Sequence, residues 1–167
     1  MANSKVPVTV ISSTDNAFIN WGGKTAPWPP AAKGCIYLLL VLDRANLTIV
    51  ANEFCGDFQT VPPTVKQFGG NTNYLLLVAA KGLIPSMAPH GDLLAFLEAN
   101  GPGKELAKGV QVCQTLDSAT NYFNYCLIGI MGTKEGKDAY SLNMRQPLAL
   151  PMRLVPVAGL YAPMEDY

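Results

Sequence analysis

Charged residues are scarce in this 167-residue chain, at 14% of the total against roughly a quarter in an average soluble domain. Twelve basic residues balance twelve acidic ones, so no basic excess is present to neutralise phosphates. Nucleic-acid binding is therefore not expected. A chain this neutral and 49% hydrophobic either covers a monomer with neutral polar groups or hides surface in an assembly. We expect a homo-oligomer.

Histidine occurs once, at His90, which leaves few groups able to act as a base near neutral pH. No Gly-x-Ser-x-Gly elbow is present, and the segments GPGKEL and GTKEGK lack the spacing of a phosphate-binding loop. Without a Cys-x-x-Cys pair, zinc would need scattered cysteines or carboxylates. We predict no catalytic residue, cofactor or metal; a small hydrolase using a cysteine or a carboxylate pair stays as an alternative.

Long apolar runs are also missing. No run reaches the ~20 residues of a transmembrane helix, so no transmembrane segment is expected. The N-terminal stretch is broken by Pro7 and lacks a cleavage region, so no signal peptide is predicted in this numbering. The compartment is not fixed by the sequence, and an extracellular setting is favoured. Asn46-Leu47-Thr48 is a glycosylation sequon, relevant only in a glycosylating compartment.

Cysteine is sparse but even in number. The four cysteines are candidates for two disulfides, with three possible connectivities: Cys35, Cys55, Cys113 and Cys126. Each lies in or beside an apolar segment, so four buried free thiols fit the sequence equally well.

The most informative stretch present is IYLLLVLDRANLTIVANEF, residues 36–54. Two apolar blocks, 35–42 and 47–51, flank the turn formers Asp43 to Asn46. A membrane span would bury Asp43 and Arg44 at its centre, which is costly, and β-branched residues disfavour a helix. The pattern predicts a β-hairpin at the centre of a sheet, with its first strand buried on both faces.

The remaining segments are mostly short strands and helices. Further strands are predicted at 5–11 (an edge strand, because of Pro7), 18–21, 73–80, 110–114 and 122–131. Short helices are predicted at 64–68, 92–100 and 104–108, and a polar turn at 132–140. The fold class expected is α/β (α+β), with a mixed or antiparallel sheet and two or three short flanking helices.

We predict one domain over 1–167 with a core at 34–140. The segments 1–33 and 141–167 are extensions that pack on the core or on neighbouring subunits, since the tail is too apolar to be solvated.

Two tryptophans bracket a loop rich in glycine and proline. Trp21, Trp28 and Lys24 are the candidate ligand-binding residues, since exposed aromatics in such loops are common platforms for sugars or peptides. In the alternative interpretation, both tryptophans close the edge of the core.

Four segments carry a family resemblance. They are IYLLLVLDRANLTIVANEF, NYLLLVAAKG, HGDLLAFLEANGPGKEL and NYFNYCLIGIMGTKEGKDA. Their order over residues 34–140 resembles the interleukin-like epithelial-mesenchymal-transition inducer domain, also called the PANDER-like or GG domain. The segments are similar to its opening hairpin, its next core strand, its paired helices and its closing strand.

The resemblance implies antiparallel sheets with flanking helices and a non-catalytic role. Members of that family act as cytokine-like secreted factors or as accessory modules, one of which binds glycans beside a glycosyltransferase. No disulfide pairing and no site residue transfers to this chain. Two main hypotheses follow: a binding module for a glycan or protein partner, and a self-assembling structural subunit such as part of a virion, filament or crystal.

Overall fold

A computed structural model describes residues 4–116, 121–143 and 145–165. Within these ranges the chain forms two antiparallel sheets of five strands each and three short helices. The α+β class with antiparallel sheets and flanking helices is thereby confirmed. None of the helices in the described ranges has the length and apolar character needed to span a bilayer.

The strands are short, mostly five to eight residues. In chain order they are β1 (Val6–Ser12), β2 (Ala17–Trp21), β3 (Lys24–Thr25), β4 (Ile36–Asp43), β5 (Ile49–Cys55), β6 (Tyr74–Lys81), β7 (Asn124–Ile130), β8 (Gly136–Ser141), β9 (Leu148–Val157) and β10 (Leu160–Met164). The helices are α1 (Pro63–Lys66), α2 (Gly91–Ala99) and α3 (Lys104–Cys113), with a 3-10 turn at Pro85–Met87.

The two sheets divide the chain by position. The first, here called sheet A, has the order β10-β9-β1-β2-β3 and is built from both ends of the chain. The second, sheet B, has the order β5-β4-β6-β7-β8 and is built from the middle. The segments predicted as extensions therefore form a sheet that packs on the predicted core; residues 1–3, 144 and 166–167 of those segments lie outside the described ranges.

The main core lies between the sheets. Alternate side chains of each strand point inward, because successive residues of a strand face opposite sides. Sheet B contributes residues such as Leu40, Leu77 and Ile128, and sheet A contributes Val10 and Leu154. All five are buried.

A second core covers the opposite face of sheet B. The other alternate residues, such as Leu39 and Val78, contact apolar side chains of the helices, among them Leu93 and Leu106. Strands β4, β6 and β7 are thus buried on both faces, which accounts for their continuous apolar sequences. The molecule has three layers: sheet A, sheet B and the helices.

The sheets are joined at one corner by Ser12. Its hydroxyl donates to the carbonyl of Ala80 at 2.6 Å and accepts the N–H of Tyr125 at 3.1 Å. The next residue, Ser13, forms an isolated parallel bridge with Lys81. A buried polar residue at the end of β1 therefore fixes how sheet A sits on sheet B.

The predicted hairpin is confirmed, and its place in the sheet is corrected. Strands β4 and β5 pair antiparallel through a turn in which the Asp43 carboxylate accepts the N–H of Ala45 at 2.7 Å. The pair does not occupy the centre, because β5 is an edge strand and Ile49 is exposed. The apolar residues of β5 reflect burial of one face of that strand only.

Three other local predictions are wrong. Strand β1 is central, between β9 and β2; Pro7 is tolerated near its start. Residues 110–114 are not a strand, because 104–113 form one helix whose buried residues recur every three to four positions. Residues 132–140 are not only a turn, because β8 begins at Gly136 and completes sheet B.

Candidate functional site

The loop between β3 and β4, residues 26–35, carries the candidate site. At the start of the loop, the N–H of Ala26 donates to the carbonyl of Ile19 on β2 at 2.9 Å. Within the loop, the N–H of Ala32 donates to the carbonyl of Pro29 at 3.2 Å and closes a turn. The side chain of Asn52 on β5 donates to the carbonyl of Pro27 at 2.7 Å. The loop is therefore held by both neighbouring strands.

Trp28 is the exposed aromatic of this loop. Its side chain is 41% accessible, and its indole N–H donates to the carbonyl of Ala32 at 3.0 Å. Ala31 lies between them with φ +62°, a left-handed conformation that costs a non-glycine residue about 1–2 kcal/mol. Strain of this kind is often found at binding sites.

A lysine from sheet B reaches the same loop. The ammonium of Lys81 lies 5.6 Å from the centre of the Trp28 ring and donates to the carbonyl of Gly34 at 3.1 Å. A cation over an aromatic face is attractive. The indole is thus oriented by its own N–H and by the Lys81 contact, while part of its surface stays open to solvent.

The other two predicted ligand residues have different positions. Trp21 ends β2 on its inward side, is 4% exposed, and donates its indole N–H to the buried carbonyl of Leu47 at 3.2 Å. It is a core residue, so its ring is not presented to a ligand. Lys24 is exposed on β3, directly opposite Trp21. Of the three, the structure leaves Trp28 and Lys24 at the surface.

The four cysteines are all free thiols. Cys126 lies in the core between the sheets, where its thiol contacts the carbonyls of Val10 and Leu148 at 3.5 Å. Cys35, Cys55 and Cys113 border the core on the opposite face of sheet B. Because Cys126 faces the opposite side of sheet B from the other three cysteines, two simultaneous disulfides would require rearrangement of the sheet.

A cysteine and the single histidine share one cavity. A cleft of about 270 Å³ lies between the 3-10 turn and the end of α3, and both Cys113 and His90 line it. Burial raises the pKa of the Cys113 thiol to about 11, so the thiolate needed for nucleophilic attack is scarce at neutral pH. Nδ1 of His90 lies 3.3 Å from the carbonyl of Ala88.

Two further thiols, those of Cys55 and Cys126, also have raised pKa values. Burial, followed by the hydrogen bond to Asp57, raises the pKa of Cys55 to about 11. Burial also raises the pKa of Cys126, more strongly. Among the described residues, no group of three or more His, Cys, Asp or Glu side chains could hold a metal ion.

One buried carboxylate, that of Asp138, accepts several hydrogen bonds from neighbouring elements. Asp138 on β8 accepts the N–H groups of Leu106 and Glu105 at the start of α3, at 2.9 and 3.3 Å. The Tyr125 hydroxyl also donates to it at 3.3 Å. These bonds link the start of helix α3 to sheet B.

Sequence reasoning did not identify the outer face of sheet A. That face carries Phe18, as exposed as Trp28, together with the more exposed Val157 and Met164. The available signal was the strict alternation of 17–21, in which Ala17, Ile19 and Trp21 share one side. The same alternation places Phe18 on the opposite side, away from the core.

Comparison with known proteins found no protein-family model and no curated protein that matches the chain. The resemblance to the interleukin-like inducer domain therefore stays a prediction. Many unrelated functions share each arrangement of sheets and helices, so the fold alone does not select one.

Proposed function

We propose that this chain is a non-catalytic interaction module, presented outside cells, that recognises a glycan or protein partner through the Trp28 loop. The observation that carries the proposal is the half-exposed indole of Trp28 on a loop tied to both sheets. An aromatic group already held in one orientation loses little conformational entropy on binding. Tryptophan is accordingly enriched among the residues that dominate binding energy.

The surroundings of Trp28 suit a polar partner with an apolar side. The open part of the indole can stack on the apolar face of a sugar ring or on an aliphatic side chain. Lys33 is exposed in the same loop, and Lys24 is exposed on β3. Their ammonium groups can donate to hydroxyl or carbonyl oxygens beside the stacked group.

The thiol chemistry favours binding over catalysis. The cavity that holds Cys113 and His90 contains a thiol whose pKa is raised rather than lowered. Cysteine nucleophiles need the opposite shift. A non-catalytic role also agrees with what the resemblance to the inducer domain implies.

The extracellular part of the proposal is supported by the sequon. Asn46 is exposed in the β4–β5 turn, and its side-chain oxygen accepts from the N–H and the hydroxyl of Thr48 at 3.0 and 2.7 Å. A glycan on Asn46 would project from the turn without displacing a core residue.

The decisive experiment is a binding screen with paired variants. The full chain is applied to an array of neutral, sialylated and sulfated oligosaccharides and to a phage-displayed peptide library, and the best binder is titrated by calorimetry. Trp28→Ala should weaken binding at least tenfold, whereas Ile49→Ala, equally exposed on β5, should leave it within about twofold.

Intrinsic fluorescence adds a second readout. Trp21 is buried, so acrylamide quenching and ligand-induced changes should come mostly from Trp28 and should vanish in Trp28→Phe. Two results would contradict the proposal that the Trp28 loop binds the ligand. One is an equal loss of affinity in Trp28→Ala and Ile49→Ala, and the other is a ligand that leaves Trp28 fluorescence unchanged.

A second candidate function is supported by a separate observation. The outer face of sheet A is apolar and has no helix layer over it within the described residues, which favours a self-associating structural subunit.

A further inference from the structure

The outer face of sheet A is defined by the strand register. Opposed residues form rows across the sheet, and alternate residues of each strand belong to this face. The rows, from one end to the other, are Phe18–Ile11–Ala149, Thr25–Asn20–Thr9–Pro151, Pro7–Arg153–Met164, Val155–Ala162 and Val157–Leu160. Both ends of the face are apolar, and its polar residues are mostly uncharged.

The two sheets differ in whether the face that points away from the other sheet is covered. The face of sheet B that points away from sheet A is covered by α1, α2 and α3. No described element covers the corresponding face of sheet A. Phe18 is 41% and Val157 is 52% exposed there. An apolar sheet face of this kind marks an interaction surface in a soluble protein.

We propose that a second copy of this chain docks face to face on the outer face of sheet A. The inference rests on the self-association candidate above and is independent of the Trp28 loop. Across a two-fold axis the same patch must meet itself, so a charged patch would oppose its own copy. Among the described residues of the rows, Arg153 in the middle row alone is charged, so the face carries a single like charge for its copy to meet.

The sheet edges favour face packing over edge pairing. Strand β10 forms one edge of sheet A and contains Pro163, which cannot donate a ladder hydrogen bond. The opposite edge, β3, is only two residues long. Short and proline-containing edges are the usual protection against strand addition. Association through sheet A therefore gives a closed pair rather than an extended sheet.

The available area fits a moderate dimer. Five rows spaced by two residues span roughly 27 Å, and three to four strands span roughly 17 Å. Such a face projects about 450 Å², so two copies together would bury on the order of 1,000 Å² of accessible surface. That is the lower limit for a specific interface, and a concentration-dependent dimer with a Kd in the micromolar range is expected.

The test measures mass on the full chain. Sedimentation equilibrium or light scattering from about 1 to 500 µM should show a reversible monomer–dimer equilibrium that reductant does not change. Phe18→Lys and Ala149→Lys should each raise the dissociation constant at least tenfold, because both positions point outward in one row. Ile49→Lys, with the same exposure as Phe18, should leave it within about twofold.

Three outcomes would overturn the proposal. The first is a wild-type chain that stays monomeric at 500 µM, which would leave this face to a different partner. The second is a dimer that survives both face substitutions, and the third is equal disruption by Ile49→Lys. Circular dichroism of each variant checks the fold. Trp28→Ala should not alter the mass, so failure of the ligand proposal and failure of the dimer are separately visible.

Discussion

Removal of the Asp138 carboxylate should uncouple helix α3 from sheet B. The residue preceding the helix is Gly103, which has no side chain to cap the first N–H groups. Asp138 supplies that cap from β8 by accepting the N–H groups of Leu106 and Glu105. It is 4% exposed, so little water can replace it when the side chain is shortened.

The magnitude follows from the three donors left behind in Asp138→Ala. The strongest bond, 2.9 Å from Leu106, involves a charged acceptor at a helix N-terminus and is worth about 1.5–3 kcal/mol. The two bonds at 3.3 Å, from Glu105 and Tyr125, add less. We expect about 3 kcal/mol of lost unfolding free energy, which lowers Tm by roughly 6–12 °C in a domain of this size.

The assay is urea and thermal unfolding followed by far-UV circular dichroism. Asp138→Asn keeps one acceptor and the side-chain volume, so it should lose about half as much as Asp138→Ala. Glu105→Ala is the control, since it removes only an exposed contact to Lys108, typically worth less than about 0.5 kcal/mol. If the free energy of unfolding of Asp138→Ala lies within about 0.5 kcal/mol of the wild-type value, the carboxylate does not anchor the helix.

Two further perturbations test other parts of the structure. With a thiol reagent at pH 8, partly exposed Cys35 should react first and buried Cys126 last, because burial raises the pKa of Cys126. After unfolding without reductant, four thiols should react, and a smaller number would indicate a disulfide. Arg44→Met should cost about 2 kcal/mol and speed hydrogen exchange in β10, since Arg44 Nε and Nη1 donate to the carbonyls of Tyr161 and Thr72 at 2.7 and 2.5 Å. Unchanged exchange in β10 would show that this clamp is dispensable.

The parts of the fold that the sequence predicts are those set by local chemistry. The hairpin at 36–55 follows from two apolar blocks around Asp43 and Asn46, whose side chains bond nearby backbone groups in the turn. The apolar positions of 92–100 predict helix α2, and the structure places it at Gly91–Ala99. Its N-cap is His90, so the helix begins one residue before the predicted start at 92.

Long-range pairing is what local patterns do not reveal. Strand β1 alternates clearly, yet its partner β9 lies about 140 residues further along the chain. The apolar tail is predicted to pack on the core or on a neighbouring subunit, but strand β9, which contains Pro151 and Pro156, is not predicted. Alternation identifies which face of a strand is buried, and tertiary contacts alone decide which strand it pairs with.

The sequence predicts only part of the candidate site, because the loop composition does not distinguish a buried tryptophan from an exposed one. In the sequence, Trp21 and Trp28 are alike in that both border one glycine- and proline-rich loop. Their environments differ because Trp21 continues the inward alternation of Ala17 and Ile19, whereas Trp28 belongs to no strand. The predicted strand 18–21 already contains Trp21, so applying its alternation to that residue separates the core tryptophan from the exposed one.

The low charge of the chain has a structural basis that bears on the dimer proposal. Three strands of sheet B are buried on both faces, and they carry charged residues only at their ends, Asp43 and Lys81. Sheet A buries one face, and its other face remains nearly uncharged although no described element covers it. Burial explains the first deficit but not the second, because an exposed face gains solubility from charge. A neutral face retained on the surface is consistent with selection for contact with a partner, and its self-complementary composition favours a second copy of the same chain.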